Sequence, residues 1–366
     1  MTIEISAPTL GAEERQAVLE VLEGNLFAKG PRVAAFEQAF ADFHGARHAV
    51  ATSSGATALS AALLAHGVGP GDEVILPSFG FFATAAAVVL TGATPVFADI
   101  DPLTFCLSLA AAEAAVTPRT KCVMPVHLFG MPADMRGFAA FARRRALVLL
   151  EDAAQAHGAA IDGRRVGTFG TAAFSFYVSK NMTTLEGGMV LTDDAEIARR
   201  LRLVRNHGRS ATSGHELVGS NFRMNEIAAA IGSVQLGRLP GATARRRENA
   251  TYLTTHLRNV ATPKVPSGIE HVYHQYTVRV PADVRDALVA ELNGQGIGAR
   301  IYYPRPIHRE PALARTSGAL DLPETERACA EVLSLPVHPG LNDTDLARIV
   351  RVTNTFCARL PGSTLP

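Results

Sequence analysis

The stretch ALVLLEDAAQAHG, residues 146 to 158, read together with AAFSFYVSKNMTTLEGGMVLT, residues 172 to 192, decides the fold of this 366-residue chain. Each opens with a short apolar run bounded by small and polar residues, the pattern of a buried strand in a parallel sheet. The first run ends on Asp152, and Lys180 follows the second, 28 positions later. A lysine amine and a carboxylate brought together at the ends of parallel strands are what pyridoxal phosphate requires. The lysine forms a Schiff base, and the carboxylate keeps the pyridine nitrogen protonated so that the ring accepts electrons. Neither residue carries that reading alone, since most lysines are solvated and many strand-ending Asp residues cap helices.

A third stretch lies upstream, ATSSGATALSAALLAHG at residues 51 to 67. An apolar strand, HAVAT, runs through hydroxylated residues and Gly55 directly into an apolar helical segment. A helix start offers free backbone N–H groups to a phosphate, and Gly55 permits close backbone approach. Taken by itself, the segment reads equally as an ordinary strand-to-helix turn capped by Ser or Thr. No GxGxxG or GxxxxGK[ST] is present, so the common dinucleotide and P-loop patterns find no match.

Working outward, seven apolar or β-branched runs alternate with helical patterns: HAVAT, EVILP, TPVFA, KCVMPVH, ALVLLE, AAFSFY and GMVLT. This alternation predicts an α/β fold with a mostly parallel seven-stranded sheet between helices, whose ligands gather at the carboxyl ends of the strands. Before the sheet, PRVAAFEQAFADFHG sets Val33, Phe36, Phe40 and Phe43 at helical spacing, with Pro31 in the first turn and Gly45 as a C-terminal cap. After it, RMNEIAAAIGSVQLGRL and ATARRRENATYLTTHL read as two helices. Beyond them a strand, YHQYTVRV, and three helical stretches indicate a smaller α+β domain. The boundaries drawn are residues 1–245 for the large domain and 246–366 for the small one.

Composition sets the class. With 47% apolar and 19% charged residues the chain can bury a large core. A net charge of +1 argues against nucleic acid or an anionic membrane as the main partner. The basic runs Arg143–Arg145 and Arg245–Arg247 read as solvated helix faces. Cys106, Cys122, Cys329 and Cys357 show no CxxC or metal spacing, which predicts free thiols in a reducing compartment, a cytoplasmic location and no metal. His215 and Glu216 do not extend to HExxH, because Gly219 takes the fifth position. His127, His157 and His207 read as hydrogen-bonded structural histidines or as pocket residues.

Ten ordered segments carry a family resemblance: SSGATAL, GDEVILPSFGFFATAAAV, ATPVFADIDP, PVHLFGMPADM, LLEDAAQAHGA, GTFGTAAFSFYVSKNMTTLEGGMVLTDD, VRNHGR, GSNFRMNEIAAAIGSVQL, YYPRPIH and LSLPVHPGL. In these the chain resembles the sugar aminotransferases of the DegT/DnrJ/EryC1/StrS family, which are fold-type I pyridoxal phosphate enzymes. The resemblance implies a homodimer with shared active sites. Its reaction would be a ping-pong transamination from L-glutamate or glutamine, through pyridoxamine phosphate, to a keto-sugar carried on a nucleotide. Lys180 is then the Schiff-base lysine and the base, and Asp152 the pyridinium partner. Gln155 would lie near the phenolic oxygen, and Phe81 would stack on the ring. Gly55, Ala56, Thr57 and Ser175 would hold the phosphate.

By the same resemblance Asn221 reaches the phosphate of the neighbouring subunit and Arg223 meets the donor carboxylate. Asn221 would serve as well as the cap of the helix beginning near Met224. Glu186, Tyr302 and His308 are implied on the substrate side. The chain departs from the family at four points: SGA stands for SGT at the phosphate turn, Leu185 for the first Gly of TGEGG, Tyr302 for the His of HYP, and Gly80 for Thr. A cyclitol aminotransferase and a catalytically silent regulatory protein are the alternatives. A pyridoxamine-dependent sugar dehydratase is disfavoured by Lys180, since those enzymes typically carry histidine there.

Overall fold

The computed structural model describes residues 2–28, 30–210, 212, 214–313 and 320–359. All seven expected strands form: β1 (His48–Thr52), β2 (Glu73–Pro77), β3 (Thr94–Ala98), β4 (Thr120–Val123), β5 (Val148–Asp152), β8 (Thr171–Ser175) and β9 (Gly188–Thr192). They make one sheet in the order β1-β9-β8-β5-β4-β2-β3. Pairing is parallel from β3 through to β8, whereas β9 runs antiparallel to both β8 and β1. The single reversal matters for function, because β9 begins on the rim where the other strands end. The short strands β6 (Ala160–Ile161), β7 (Arg164–Arg165) and β10 (Ile269–Glu270) form a separate ribbon.

Helices cover both faces of the sheet, as burial of alternating side chains on each face demands. On one face α3 (Gly55–Ala65), α4 (Ala83–Leu90) and α7 (Ala195–Val204) pack on Val50, Val74, Leu76, Leu150 and Val190. On the other, α5 (Leu109–Ala114) and α6 (Met135–Arg145) cover Ile75, Val123 and Leu149. The same face carries α2 (Pro31–His44), whose Val33, Phe36 and Phe40 are buried against Phe174 and Phe176 as the helical spacing predicts. Each fully buried Phe contributes roughly 2–3 kcal/mol. Pro31 opens α2 and Gly45 closes it in the left-handed conformation at φ 82°. The first helix, α1 (Ala12–Leu22), lies on α8 (Glu226–His256).

A second core gathers α9 (Ala282–Gly294), α11 (Asp343–Cys357) and the two-stranded sheet of β11 (Tyr276–Arg279) and β12 (Val332–Leu335). The helix α10 (Pro323–Glu331) leads into β12. Two expectations need correction. The sequence reads as two helices around Pro240, yet α8 is one helix of 31 residues with Pro240 inside it. Proline removes one intrahelical hydrogen bond. Here Pro240 and Gly241 face solvent, while Leu236 and Leu239 are held in one core and Ala250 and Leu253 in the other. This helix runs across the 245/246 boundary proposed between the domains, and Ile3 of the N-terminal segment packs in the second core. Arg246 is not on a solvated face either: it is buried and donates to the Tyr273 carbonyl at 3.1 Å.

All four cysteines are free and buried. Burial pushes the thiols of Cys106 and Cys329 up to about 12. No helix among the described residues is long and apolar enough to cross a membrane. Among the same residues no cluster of His, Cys, Asp or Glu is arranged to hold a metal.

Candidate active site

The carboxyl ends of β1, β5 and β8 and the start of β9 meet around a cavity of about 660 Å³. Gly55, Ala56, Phe81, Asp152, Gln155, Ser175, Lys180, Glu186 and Tyr302 all line it. Residues spread over 248 positions of sequence are thus brought to one place by the sheet.

At one end the first turn of α3 rests directly on the end of β8. A Cβ on Gly55 would come 2.5 Å from Cβ and 2.9 Å from Oγ of Ser175, so only glycine allows this approach. The N–H groups of Gly55 and Ala56 belong to the unpaired first turn of a helix and make no hydrogen bond among the described residues. With the Ser175 hydroxyl they form a cradle of donors suited to a phosphate dianion. Thr57 is placed differently. Its hydroxyl accepts from Ser54 N at 2.9 Å and donates to the Ser54 carbonyl, closing a capping box in which Ser54 Oγ accepts from Thr57 N at 3.1 Å. Thr57 does not line the cavity, and Ser54 does.

Asp152 ends β5 on the cavity side. Thr84 Oγ1, in the first turn of α4, donates to its Oδ2 at 2.7 Å, and Ala154 N to its Oδ1 at 3.2 Å. Burial raises its carboxyl above the usual carboxylate range, against the opposing pull of those two donors and of Lys180. Lys180 follows β8 in a turn closed by its N–H on the Tyr177 carbonyl at 2.9 Å. Desolvation lowers its amine from 10.5 to about 8, outweighing the attraction of Asp152. Each group thus suffers from burial and is rescued only in part by the other.

Gln155 braces the wall. Its Oε1 accepts from Phe129 N at 2.6 Å and its Nε2 donates to the Tyr303 hydroxyl at 3.1 Å. The Phe81 ring, 60% exposed, stands 6.3 Å from the Tyr303 ring at the cavity mouth. Glu186 enters from the turn before β9. In that turn Leu185 has φ 69°, a left-handed conformation uncommon for any residue but glycine, and its N–H donates to Thr183 Oγ1 at 2.8 Å.

Three residues lie elsewhere. His308 is buried, bonded through Nδ1 to Ser78 Oγ at 2.7 Å, and does not line the cavity. Asn221 is exposed, and Arg223 Nη1 donates to Asn206 Oδ1 at 2.9 Å beside a separate cleft of about 230 Å³ against α2. Asn221 does not cap α8: Asn225 does, accepting from Ala228 N at 2.8 Å. Glu226 next to it accepts from the N–H groups of Gly30 and Arg32 at 2.8 Å each, tying α8 to the start of α2.

Sequence reasoning did not find Thr84, Tyr177, Ser179, His274, Gln275 or Tyr303 as cavity residues. Thr84 left a faint signal, a hydroxyl in the first turn of a helix that follows a strand. His274 and Gln275 left none, because they come from a loop about a hundred residues beyond Lys180. Of the family-like histidines, His127 bonds Glu151 at 3.1 Å and His157 packs on Phe174 and Phe176, both outside the cavity.

Compared with known proteins, the chain matches a model of the DegT/DnrJ/EryC1/StrS aminotransferase family over residues 8–353. It is 44% identical over 345 residues to a pleiotropic regulatory protein of Geobacillus stearothermophilus, covering 92% of each. It is 43% identical to a UDP-N-acetyl-3-dehydro-alpha-D-glucosamine 3-aminotransferase of Acidithiobacillus ferrooxidans, covering 91% of this chain and 90% of that one. The structure is similar to that of DesV of S. venezuelae in complex with a ketimine intermediate, with a TM-score of 0.92, 38% identity and 95% of each chain covered.

Proposed function

The chain belongs to the DegT/DnrJ/EryC1/StrS aminotransferase family, and from that premise we propose that it carries an amino group from L-glutamate or L-glutamine to a nucleotide-linked keto-deoxysugar. The two half-reactions share one site. The observation that carries this reading is the convergence of Lys180 and Asp152 on a cavity that also holds a cradle of phosphate donors, the N–H groups of Gly55 and Ala56 and the Ser175 hydroxyl. Pyridoxal 5'-phosphate, the family's cofactor, supplies there a carbonyl that condenses with amines and a ring that accepts an electron pair.

The residues present fit that group. The N–H groups of Gly55 and Ala56 and the Ser175 hydroxyl would hold its phosphate, Phe81 would cover a ring face and Asp152 would hold the ring nitrogen. Gln155, already fixed by Phe129 and Tyr303, would stand beside the phenolic oxygen. An amine with a pKa of about 8 exchanges protons readily near neutral pH, so Lys180 is suited to hold a proton at Nζ and return it. In a homodimer, Asn221 of the partner subunit would complete the phosphate site, and Arg223 of the partner subunit would meet the donor carboxylate. Both lie outside this chain's own cavity, on a surface segment tied to α2, which supports delivery in trans.

The test is optical. The purified protein loaded with pyridoxal phosphate should show a visible absorption band that L-glutamate or L-glutamine bleaches and a keto-sugar nucleotide restores. A band restored only by a keto-inositol would transfer the assignment to cyclitols. The regulatory relative favours a second reading, a regulator without turnover. A band that no amino donor bleaches would establish that reading instead.

A further inference from the structure

One wall of the cavity comes from the loop before β11, where His274 and Gln275 line it. The side chain of Asn181, the residue after Lys180, fixes the state of that histidine. Asn181 Nδ2 donates to the Val272 carbonyl at 2.9 Å, which leaves its Oδ1 as an acceptor facing His274 Nδ1 at 3.3 Å. An acceptor opposite a ring nitrogen requires the hydrogen to sit on that nitrogen. Burial holds the imidazole well below its ordinary range, helped by Lys180 and Arg246 nearby, so the ring is neutral and carries one hydrogen. That hydrogen is on Nδ1. Nε2 is left with a bare lone pair and no hydrogen bond among the described residues, on a residue that borders the cavity. Its neighbour Gln275 has Oε1 buried and without a partner.

We propose that Nε2 of His274 accepts a hydrogen bond from a hydroxyl of the keto acceptor, making His274 a specificity-determining residue and Asn181 the residue that sets its tautomer. The proposal rests on the reading of the acceptor as a hydroxylated keto compound. A lone pair selects a donor, so a hydroxyl is read and an ether or carbonyl oxygen is refused. Asn181 does so from the position adjacent to the lysine, which ties the reading of the acceptor to the geometry of the reacting amine.

The experiment uses the loaded enzyme, dTDP- and UDP-linked 3-keto and 4-keto 6-deoxyhexoses, and their deoxy analogues lacking one ring hydroxyl. His274→Phe should raise KM for the hydroxylated acceptor roughly tenfold, while bleaching of the visible band by the amino donor keeps its wild-type rate. His274→Gln, which restores an oxygen acceptor at the same reach, should recover most of the loss, and one deoxy analogue should react equally with wild type and His274→Phe. In ¹⁵N spectra of histidine-labelled protein without cofactor, the His274 signals should show a protonated Nδ1, and Asn181→Leu should redistribute that proton.

A slowed donor half-reaction in His274→Phe would overturn the proposal by assigning the ring to Lys180. An unchanged acceptor KM, or a proton found on Nε2, would overturn it as well. Wild-type enzyme that bleaches with an amino donor yet accepts none of these sugars would sink the sugar reading itself, and this proposal with it.

Discussion

Glu151 and Asp152 are neighbours on one strand, both carboxylates and both buried, yet they face opposite sides of the sheet into opposite kinds of surroundings. Glu151 receives four donors: the N–H groups of Gly167, Phe169 and Gly170 at 2.8 to 3.0 Å and Nε2 of His127 at 3.1 Å. His127 is itself fixed, since its Nδ1 accepts from Ala133 N at 3.0 Å. Every oxygen of Glu151 is answered by the protein, so the group is a finished piece of structure. Asp152 has two donors, from Thr84 and Ala154, and a carboxyl raised by burial. What separates them is satisfaction, not burial: the complete network holds loops together, whereas the incomplete one has capacity left for a ligand.

The strongest test of this contrast removes the partner across the cavity. Lys180→Ala should lower turnover by roughly 10⁴-fold or more, measured as amino transfer from L-glutamate, with the folded state intact by circular dichroism. Next comes the pair itself. Asp152→Asn should cost roughly 10³-fold in turnover while thermal unfolding of the cofactor-free protein stays unchanged or moves upward, because an amide keeps the Thr84 bond without a desolvated charge. Glu151→Gln should do the reverse, destabilising by roughly 1–3 kcal/mol in urea unfolding while the folded fraction turns over within about twofold of wild type. If both substitutions acted on the same quantity, the distinction between a finished and an open carboxylate would be lost.

A gentler probe is pH. Between about 8, the value of Lys180 in the folded protein, and its ordinary 10.5, the unfolded chain binds a proton that the folded one lacks. Stability of the cofactor-free protein attributable to Lys180 therefore increases as pH rises through that window. Calorimetry on wild type and Lys180→Met should differ by a positive slope between pH 8 and 10.5 that the variant loses. The smallest effect expected is at Leu185, which is 46% exposed with φ 69°. Leu185→Gly should raise stability by about 1 kcal/mol by releasing a left-handed conformation, read as a midpoint shift in urea.

Much of this architecture is legible in the sequence because period and length suffice to read it. Seven short apolar or β-branched runs announced the sheet, and the Phe36 and Phe40 stripe announced α2. Lys180, Asp152, Gly55 and Ser175 were readable because each sits beside a strand end, and strand ends in such sheets converge. The direction of β9 was not readable, since apolar alternation is the same read either way. The continuity of α8 was hidden by Pro240, whose cost is met by packing on either side. Thr57 and His308 carry plausible chemistry, yet local partners, Ser54 and Ser78, had taken their polar atoms. Arg246 was hidden as well: an arginine run looks solvated until one member is found pointing inward.

The 31 residues of α8 carry a consequence for how the molecule comes apart. Its first half supplies Ala228, Ala229, Leu236 and Leu239 to the core beside the sheet, and its second half supplies Ala250 and Leu253 to the core around β11 and β12. A helix gains its hydrogen bonds cooperatively along its length, so losing either core frays the rod on which the other is built. The two lobes are thereby spliced into one cooperative unit, and heat should meet a single melting transition where two lobes joined by a loop would show two.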